Sequence, residues 1–280
     1  MSRDRYRPRT FVREVILLLV AAIWWIPFYI IIAISLQDRD AINERSLAFP
    51  FSNPQWGNFA EAWGGGSSTG LGSGLLSSFI ITAGSVIVIV VLSSLAAYAI
   101  ARHASRLNTT LYFLFIIGIV LPYLLGLIPA FILLRELGLV GTHLGMIILY
   151  TGVELPTAIF LYAGFIRALP KEYEEAALVD GASPFRTFWL IVFPLLGPVT
   201  ATVSVITALF VWNDFFAQLV FLTGTNNQTL PVAIYGFVGE FATQWNYVFA
   251  GIVISVVPVL IFFIFTQRQL VKGFAGGIKS

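Results

Sequence analysis

The residues with chemistry to offer fall in two places. Glu154, Asn213 and Asp214 stand inside long apolar runs, and Glu172, Glu174, Glu175 and Asp180 crowd one short polar segment between two such runs. A carboxylate at mid-bilayer costs about 2.5–3.5 kcal/mol on insertion scales, so it faces a polar cavity or a partner rather than lipid. Glu154 and Asp214, with Asn213, could accept from and donate to the hydroxyl groups of a passing solute. They could equally pair within the fold, or across a seam with a second membrane subunit. The acids of the polar segment offer directional charge contacts to a basic partner. None of these groups forms a catalytic set. The two histidines, His103 and His143, lie at opposite ends of the topology, and there is no cysteine. No His-Glu-x-x-His zinc signature, phosphate-binding loop or nucleophile elbow occurs. The chain is therefore expected to hold no cofactor or metal of its own and to be no enzyme, and any ATP site has to be borrowed from another subunit.

Membrane spans must position these groups. The chain is 58% hydrophobic and 11% charged, against roughly 25% charged in a soluble domain. An apolar run of about 20 residues crosses the hydrocarbon core as a helix. Six runs qualify: Val15–Leu36, Gly74–Ala101, Thr110–Leu134, His143–Arg167, Leu196–Leu222 and Trp245–Gln267. They are continuous rather than alternating, which excludes a β-barrel reading. The expected fold class is an all-α integral membrane protein with six transmembrane helices.

Basic residues set the orientation. Thirteen Lys and Arg fall on one side: Arg3, Arg5, Arg7, Arg9, Arg13, Arg102, Arg106, Arg167, Lys171, Arg186, Arg268, Lys272 and Lys279. Only Arg39, Arg45 and Arg135 fall on the other. Positive residues stay cytoplasmic, so both termini are expected inside, as an even number of spans also requires. The basic N-terminal cluster thus reads as a topogenic signal and not as a nucleic-acid site. The first run is too long for a signal-peptide core and lacks a small-residue cleavage pattern.

The organisation expected is a basic tail over 1–14, a first span over 15–36, an extracytoplasmic excursion over 37–73, a five-helix core over 74–267 and a tail over 268–280. Within the excursion, Gly64-Gly65-Gly66-Ser67-Ser68 has linker composition. Pro27, Pro122, Pro129, Pro156 and Pro258 lie inside spans and tend to kink them. Two in one span, Pro122 and Pro129, favour a helix that bends around a central cavity.

The polar segment over 170–194 has its own local logic. Pro170 suits a first helical turn, and Glu172, Glu174 and Glu175 suit a helix N-terminus. The spacing predicts a helix over Lys171–Val179 that stops at Asp180, with Gly181 in the left-handed conformation. Ser183 can cap a second helix with Pro184 at its first position. Phe185, Phe188, Trp189 and Val192 would give that helix an apolar face. The product is a slim knob, with Ala176 and Ala177 keeping it narrow and Glu175 offering one charge contact.

The stretch EAALVDGASPFRTFWLIVFP at 175–194 resembles the cytoplasmic coupling loop, the EAA loop, of ABC importer permeases. Glu175, Ala176, Ala177, Asp180, Gly181, Ala182, Phe188 and Pro194 all fall in register with that pattern. The segments Leu134–Tyr150 and Val211–Ile234 look like corresponding parts of carbohydrate-type permeases, and the tail QRQLVKGFAGGIKS is similar to the ends of maltose-type second permease subunits. The tail departs from the usual ending at Ile278 and Ser280. The resemblance implies a type I ABC importer permease fold with both termini inside, in a bacterial or archaeal plasma membrane. It implies partners: a second homologous permease, two ATPase subunits that bind ATP and Mg, an extracytoplasmic solute-binding protein and a sugar substrate. It further implies that the knob docks in an ATPase cleft. An ion-coupled secondary transporter using Glu154 and Asp214 is the competing class, but such proteins often carry inverted repeats and more spans. A membrane-embedded enzyme would need a catalytic cluster that is absent from the sequence.

Overall fold

In a computed structural model of the chain, residues 8–44, 47–64, 70–103, 105–238 and 243–276 are described. The residues described are helical or irregular. They form α1 (Pro8–Ser35), α2 (Arg39–Asn43), α3 (Gly57–Gly64), α4 (Leu71–Arg102), α5 (Arg106–Val120), α6 (Leu127–Glu136) and α7 (His143–Ala168). There follow α8 (Glu172–Val179), α9 (Pro184–Thr187), α10 (Phe193–Leu195), α11 (Gly197–Asn213), α12 (Phe216–Leu222), α13 (Leu230–Tyr235) and α14 (Trp245–Gly276). A 3-10 turn at Tyr123–Gly126 precedes α6, and a π turn at Phe188–Val192 joins α9 to α10.

Four helices are long and apolar enough to cross a membrane, and two bent pairs raise that number to six if each pair is one span. The expected third span is one of these pairs. It breaks between α5 and the Tyr123 turn, with a bend of 100°. Leu121 is extended there (ψ 125°), as the ring of a following proline demands, and Pro122 supplies that ring. Pro129 lies inside α6 without breaking it. The other pair is Pro184–Leu195 with Gly197–Asn213, bent by 75°, and the expected fifth span, Leu196–Leu222, which starts at that bend, is itself not one helix. It stops at Asn213, passes through extended Asp214 (φ −67°, ψ 129°) and resumes at Phe216.

By packing, the chain falls into two units, residues 1–71 with 233–257 and residues 72–232 with 258–280. Residues 233–257, which the sequence places in the stretch 74–267, thus group with the N-terminal residues. In the first unit, the excursion after α1 carries two short helices, α2 and α3. Asn58 of α3 donates to the carbonyls of Ser35 and Gln37, each at 2.9 Å, and accepts from Asn246 at 3.0 Å. Most apolar side chains of α1 are exposed, Trp24 and Trp25 among them, whereas Ala33 near its end is buried. The Gly/Ser linker at 65–69, Arg3, Arg5, Arg7, Arg45 and residues 277–280 lie outside the described residues. In place of a tail from 268, α14 runs on to Gly276.

The second unit holds two cores. One gathers Ile89, Ala97, Ile159, Tyr162, Ile166, Phe188, Val192 and Leu196. The other gathers Ile81, Leu134, Met146, Tyr150, Val211 and Phe221. Small residues let helices approach: a Cβ on Gly118 of α5 would stand 3.1 Å from the Pro156 ring of α7. The α6–α7 hairpin turns at Gly138 (φ 69°) and Gly141 (φ 81°). It is pinned to the end of α12 by Gly141 N–H donating to the Phe221 carbonyl at 3.0 Å. These contacts hold α5 against α7 and the α6–α7 hairpin against α12.

Candidate functional site

The knob forms because every local signal agrees. Leu169 ends α7 in an extended conformation, as a residue before proline must. Pro170 stands just ahead of the N-cap Lys171 rather than inside the first turn, and α8 begins at Glu172. Its first turn carries Glu172, Glu174 and Glu175 against the exposed amides of the helix start. The helix stops at Asp180. Gly181 is left-handed (φ 79°), its N–H reaches the Leu178 carbonyl at 3.1 Å, and the Ala182 N–H reaches Ala177 at 3.0 Å. Those two bonds satisfy carbonyls that a helix end leaves free. Ser183 then caps α9, accepting from the Arg186 N–H at 3.3 Å, with Pro184 at the first turn. The widened turn at Phe188–Val192 meets Pro194, which has no N–H to return to the Leu190 carbonyl.

The exposed surface of the knob differs in part from the sequence expectation. Glu175, Ala176, Asp180 and Gly181 are exposed and Ala182 is half-buried, whereas Ala177 is buried against the protein. Ala177 therefore packs the knob onto its own chain and offers no outer surface. Val179, 89% exposed, is the most prominent apolar group beside the turn. On the return helix Phe188 and Val192 are buried and Trp189 is half-buried, but Phe185 is exposed. Phe185 stands three residues ahead of Phe188, yet in the short α9 only the later turn meets the core.

Glu174, not Glu175, makes the knob's ion pair within the chain. The Arg102 Nε donates to Glu174 Oε1 at 2.8 Å, Nη2 lies 2.7 Å from the same oxygen, and the Tyr98 hydroxyl donates to Oε2 at 2.9 Å. Nη2 also reaches the Leu169 carbonyl at the end of α7, at 3.1 Å. The two charged side chains are only 7% and 13% exposed. Sequence reasoning passed over Tyr98 and Arg102. Their signal was a Tyr and an Arg four residues apart in the last turns of α4, on one helix face, but nothing local names their partner.

The interior groups separate. Asp214 is clamped by two hydroxyls: Tyr123 donates to Oδ1 at 3.0 Å and Tyr150 to Oδ2 at 2.7 Å. Both tyrosine rings stand edge-on to Phe210, with centroids 5.5 and 6.1 Å away. The break after α5 thus meets the break after α11 through one carboxylate. Asn213 is exposed and donates back to the Leu209 carbonyl at 2.8 Å. Glu154 of α7 lies elsewhere. It is 8% exposed and lines a cavity of about 680 Å³ with Tyr123, Pro156, Thr157 and Phe210. Among the described residues no side chain or backbone group bonds its carboxylate, and Asn213 and Asp214 do not line that cavity. A smaller cavity of about 320 Å³ holds Phe79, Val86, Leu209, Trp212 and Phe262 and is almost wholly apolar, which unfits it for a polar solute. Among the described residues no cluster of His, Asp and Glu could hold a metal ion. The chemistry available is thus hydrogen bonding in the larger cavity and exposed carboxylates beside an apolar residue at the knob.

Residues 89–274 match the family described as binding-protein-dependent transport system inner membrane component. The chain is 37% identical over 260 residues to the melibiose/raffinose/stachyose import permease protein MelC of Bacillus subtilis (strain 168), covering 92% of each chain. Its fold is similar to a chain in the crystal structure of a bacterial ABC transporter involved in the import of the acidic polysaccharide alginate. That match has a TM-score of 0.79 at 22% identity and covers 95% of this chain and 99% of the other. A second alginate ABC transporter structure, in complex with an alginate pentasaccharide-bound periplasmic protein, matches with a TM-score of 0.64 at 16% identity, over 93% and 94% of the two chains.

Proposed function

The chain belongs to the family of binding-protein-dependent transport system inner membrane components, multi-pass proteins of the inner membrane, and from that premise we propose that it is a permease subunit of an ATP-driven importer for a sugar or oligosaccharide. The observation that carries this reading is the knob. A helix of eight residues, a left-handed Gly181 and a capped return helix present Glu175, Val179 and Asp180 outward from the end of a membrane bundle. A small exposed surface with two carboxylates beside an apolar tip suits a groove with a basic rim on a partner. The partner in this reading is an ATPase subunit, which supplies ATP and Mg. The basic-residue asymmetry supports a cytoplasmic position for the knob and both termini, with six spans.

In the working cycle, closure of an ATPase pair moves the knob, and the knob moves the helices it is joined to. A second, related permease completes the path, and an extracytoplasmic binding protein delivers the solute. The sugars named for the relative support a sugar as the solute, and the periplasmic protein of the alginate transporter supports the binding protein. Glu154 is the path residue favoured by geometry, since its carboxylate faces a cavity with room for a sugar ring and has no partner of its own. Asp214 and Asn213 serve instead to hold the broken helix that walls the path.

The test is uptake by proteoliposomes holding the complete transporter, with a panel of galactosides, maltodextrins and acidic oligosaccharides. At least one sugar is expected to enter only with ATP inside and binding protein outside. Glu175→Ala is expected to reduce that uptake roughly tenfold, the scale of one lost charged contact, with less ATPase retained on pull-down. Full uptake and full ATPase retention in Glu175→Ala would overturn the docking role.

A further inference from the structure

Three helix ends converge on one guanidinium. Arg102 ends α4, bonds the last free carbonyl of α7 at Leu169 and grips Glu174 in the first turn of α8. The grip is enclosed: both side chains are nearly buried, and both oxygens of the carboxylate are engaged. Tyr98, one turn earlier on α4, holds both arms of the knob. Its hydroxyl binds Glu174 of the outgoing helix, and its ring lies 5.1 Å from that of buried Phe188 on the return helix. Nearby, the Arg167 guanidinium of α7 lies 4.4 Å above the Tyr112 ring of α5, which ties a fourth helix into the same end of the bundle.

The knob carries two adjacent acids with different surroundings. Glu175 is exposed and free to meet a partner, while Glu174 is spent inside the chain. A force applied at the exposed side of α8 must leave the knob through its attachments. The turn from α7 to α8 is three residues, extended at Leu169 and helical at Lys171, and a short backbone link of that kind holds α8 at one end only. The enclosed Tyr98–Arg102–Glu174 contact is stiff in both directions, because a nearly buried ion pair cannot open without leaving charges uncompensated. We propose that Tyr98 and Arg102 form the joint through which movement of the knob is delivered to α4, making them positioning residues for coupling that need not touch the ATPase. This rests on the permease reading above.

The complete transporter in proteoliposomes tests it, with solute imported per ATP hydrolysed as the readout. Glu174→Gln and Arg102→Gln are each expected to keep their ATPase subunits on purification and to go on hydrolysing ATP. Each should import at least about fivefold less solute per ATP, the lower end of typical coupling effects. The exchange Arg102→Glu with Glu174→Arg is expected to restore at least half of the lost ratio. Tyr98→Phe, which keeps the ring against Phe188, should lower the ratio about twofold and serves as the mild variant should the charge changes prevent folding. An unchanged ratio in Glu174→Gln and Arg102→Gln would overturn the joint. So would loss of the ATPase subunits in step with uptake, which marks docking or folding, or a double exchange no better than the single changes. Failure of the unaltered transporter to import any sugar with ATP would remove the permease reading itself, an outcome separable from failure of the variants alone.

Discussion

The knob at 171–183 and the paired breaks at Leu121–Pro122 and Asp214–Phe215 both interrupt long helical runs, by different devices. The knob is built from neighbours: Pro170 stops one helix, Gly181 takes the left-handed turn, and Ser183 starts the next. The break at Asp214 has no proline or glycine beside it. It is held from a distance by Tyr123 and Tyr150, 91 and 64 residues away in sequence. One interruption thus takes its turn from its own neighbours. The other exists only while three helices stay packed. In the permease proposed above, a part that docks and is pulled gains from the first kind. A wall that has to rearrange around a solute suits the second, because tertiary contacts can be exchanged whereas a glycine turn cannot.

The widest separation between the two devices is expected at Asp214. Asp214→Leu strips the acceptor from two tyrosine hydroxyls in the membrane interior and should destabilise the chain by about 3 kcal/mol. Thermal unfolding of the purified protein in detergent checks this, and Asp214→Asn, which keeps an acceptor, should lose less than half as much. If Asp214→Leu unfolds at the unaltered temperature, the break is local after all and the contrast fails. Gly181→Val comes next. A β-branched residue at φ 79° costs about 2 kcal/mol of backbone strain, but only in the turn. The membrane bundle should unfold as before while pull-down of the ATPase falls. A drop in bundle stability equal to that of Asp214→Leu would show that the knob is not independent. The smallest change is Ser183→Ala, which removes one cap worth about 1 kcal/mol. Hydrogen exchange at the Arg186 amide should quicken about fivefold, the rate equivalent of that loss, with the amides of α7 and α11 unchanged.

The same contrast marks how far the sequence could be read. The helical spans follow from unbroken apolar runs, because backbone groups in lipid must bond within their own segment. The knob was legible down to Gly181 and Ser183, since capping and left-handed turns depend on residues three or four apart. The bend in the third span was signalled by Pro122, though its size, 100°, was not. The third and fifth spans were expected as longer single runs because hydropathy averages over a window, so one proline or one carboxylate within an apolar run leaves it reading as a single span.

Sequence alone therefore determined the membrane class, the family pattern at 175–194 and the local form of the knob. The tertiary structure decided what each polar group does. Glu174 and Glu175 are the same residue type in adjacent places, and only the approach of Tyr98 and Arg102 from α4 makes one an internal anchor and leaves the other exposed. Glu154 and Asp214 are both carboxylates within apolar runs, and only the packing of α5, α7 and α11 gives Asp214 two hydroxyl partners and Glu154 a cavity. The physical reason is range. Helix propensity, capping and hydropathy act within a few residues, whereas the partner of a buried charge is chosen by whichever distant helix the fold brings within 3 Å.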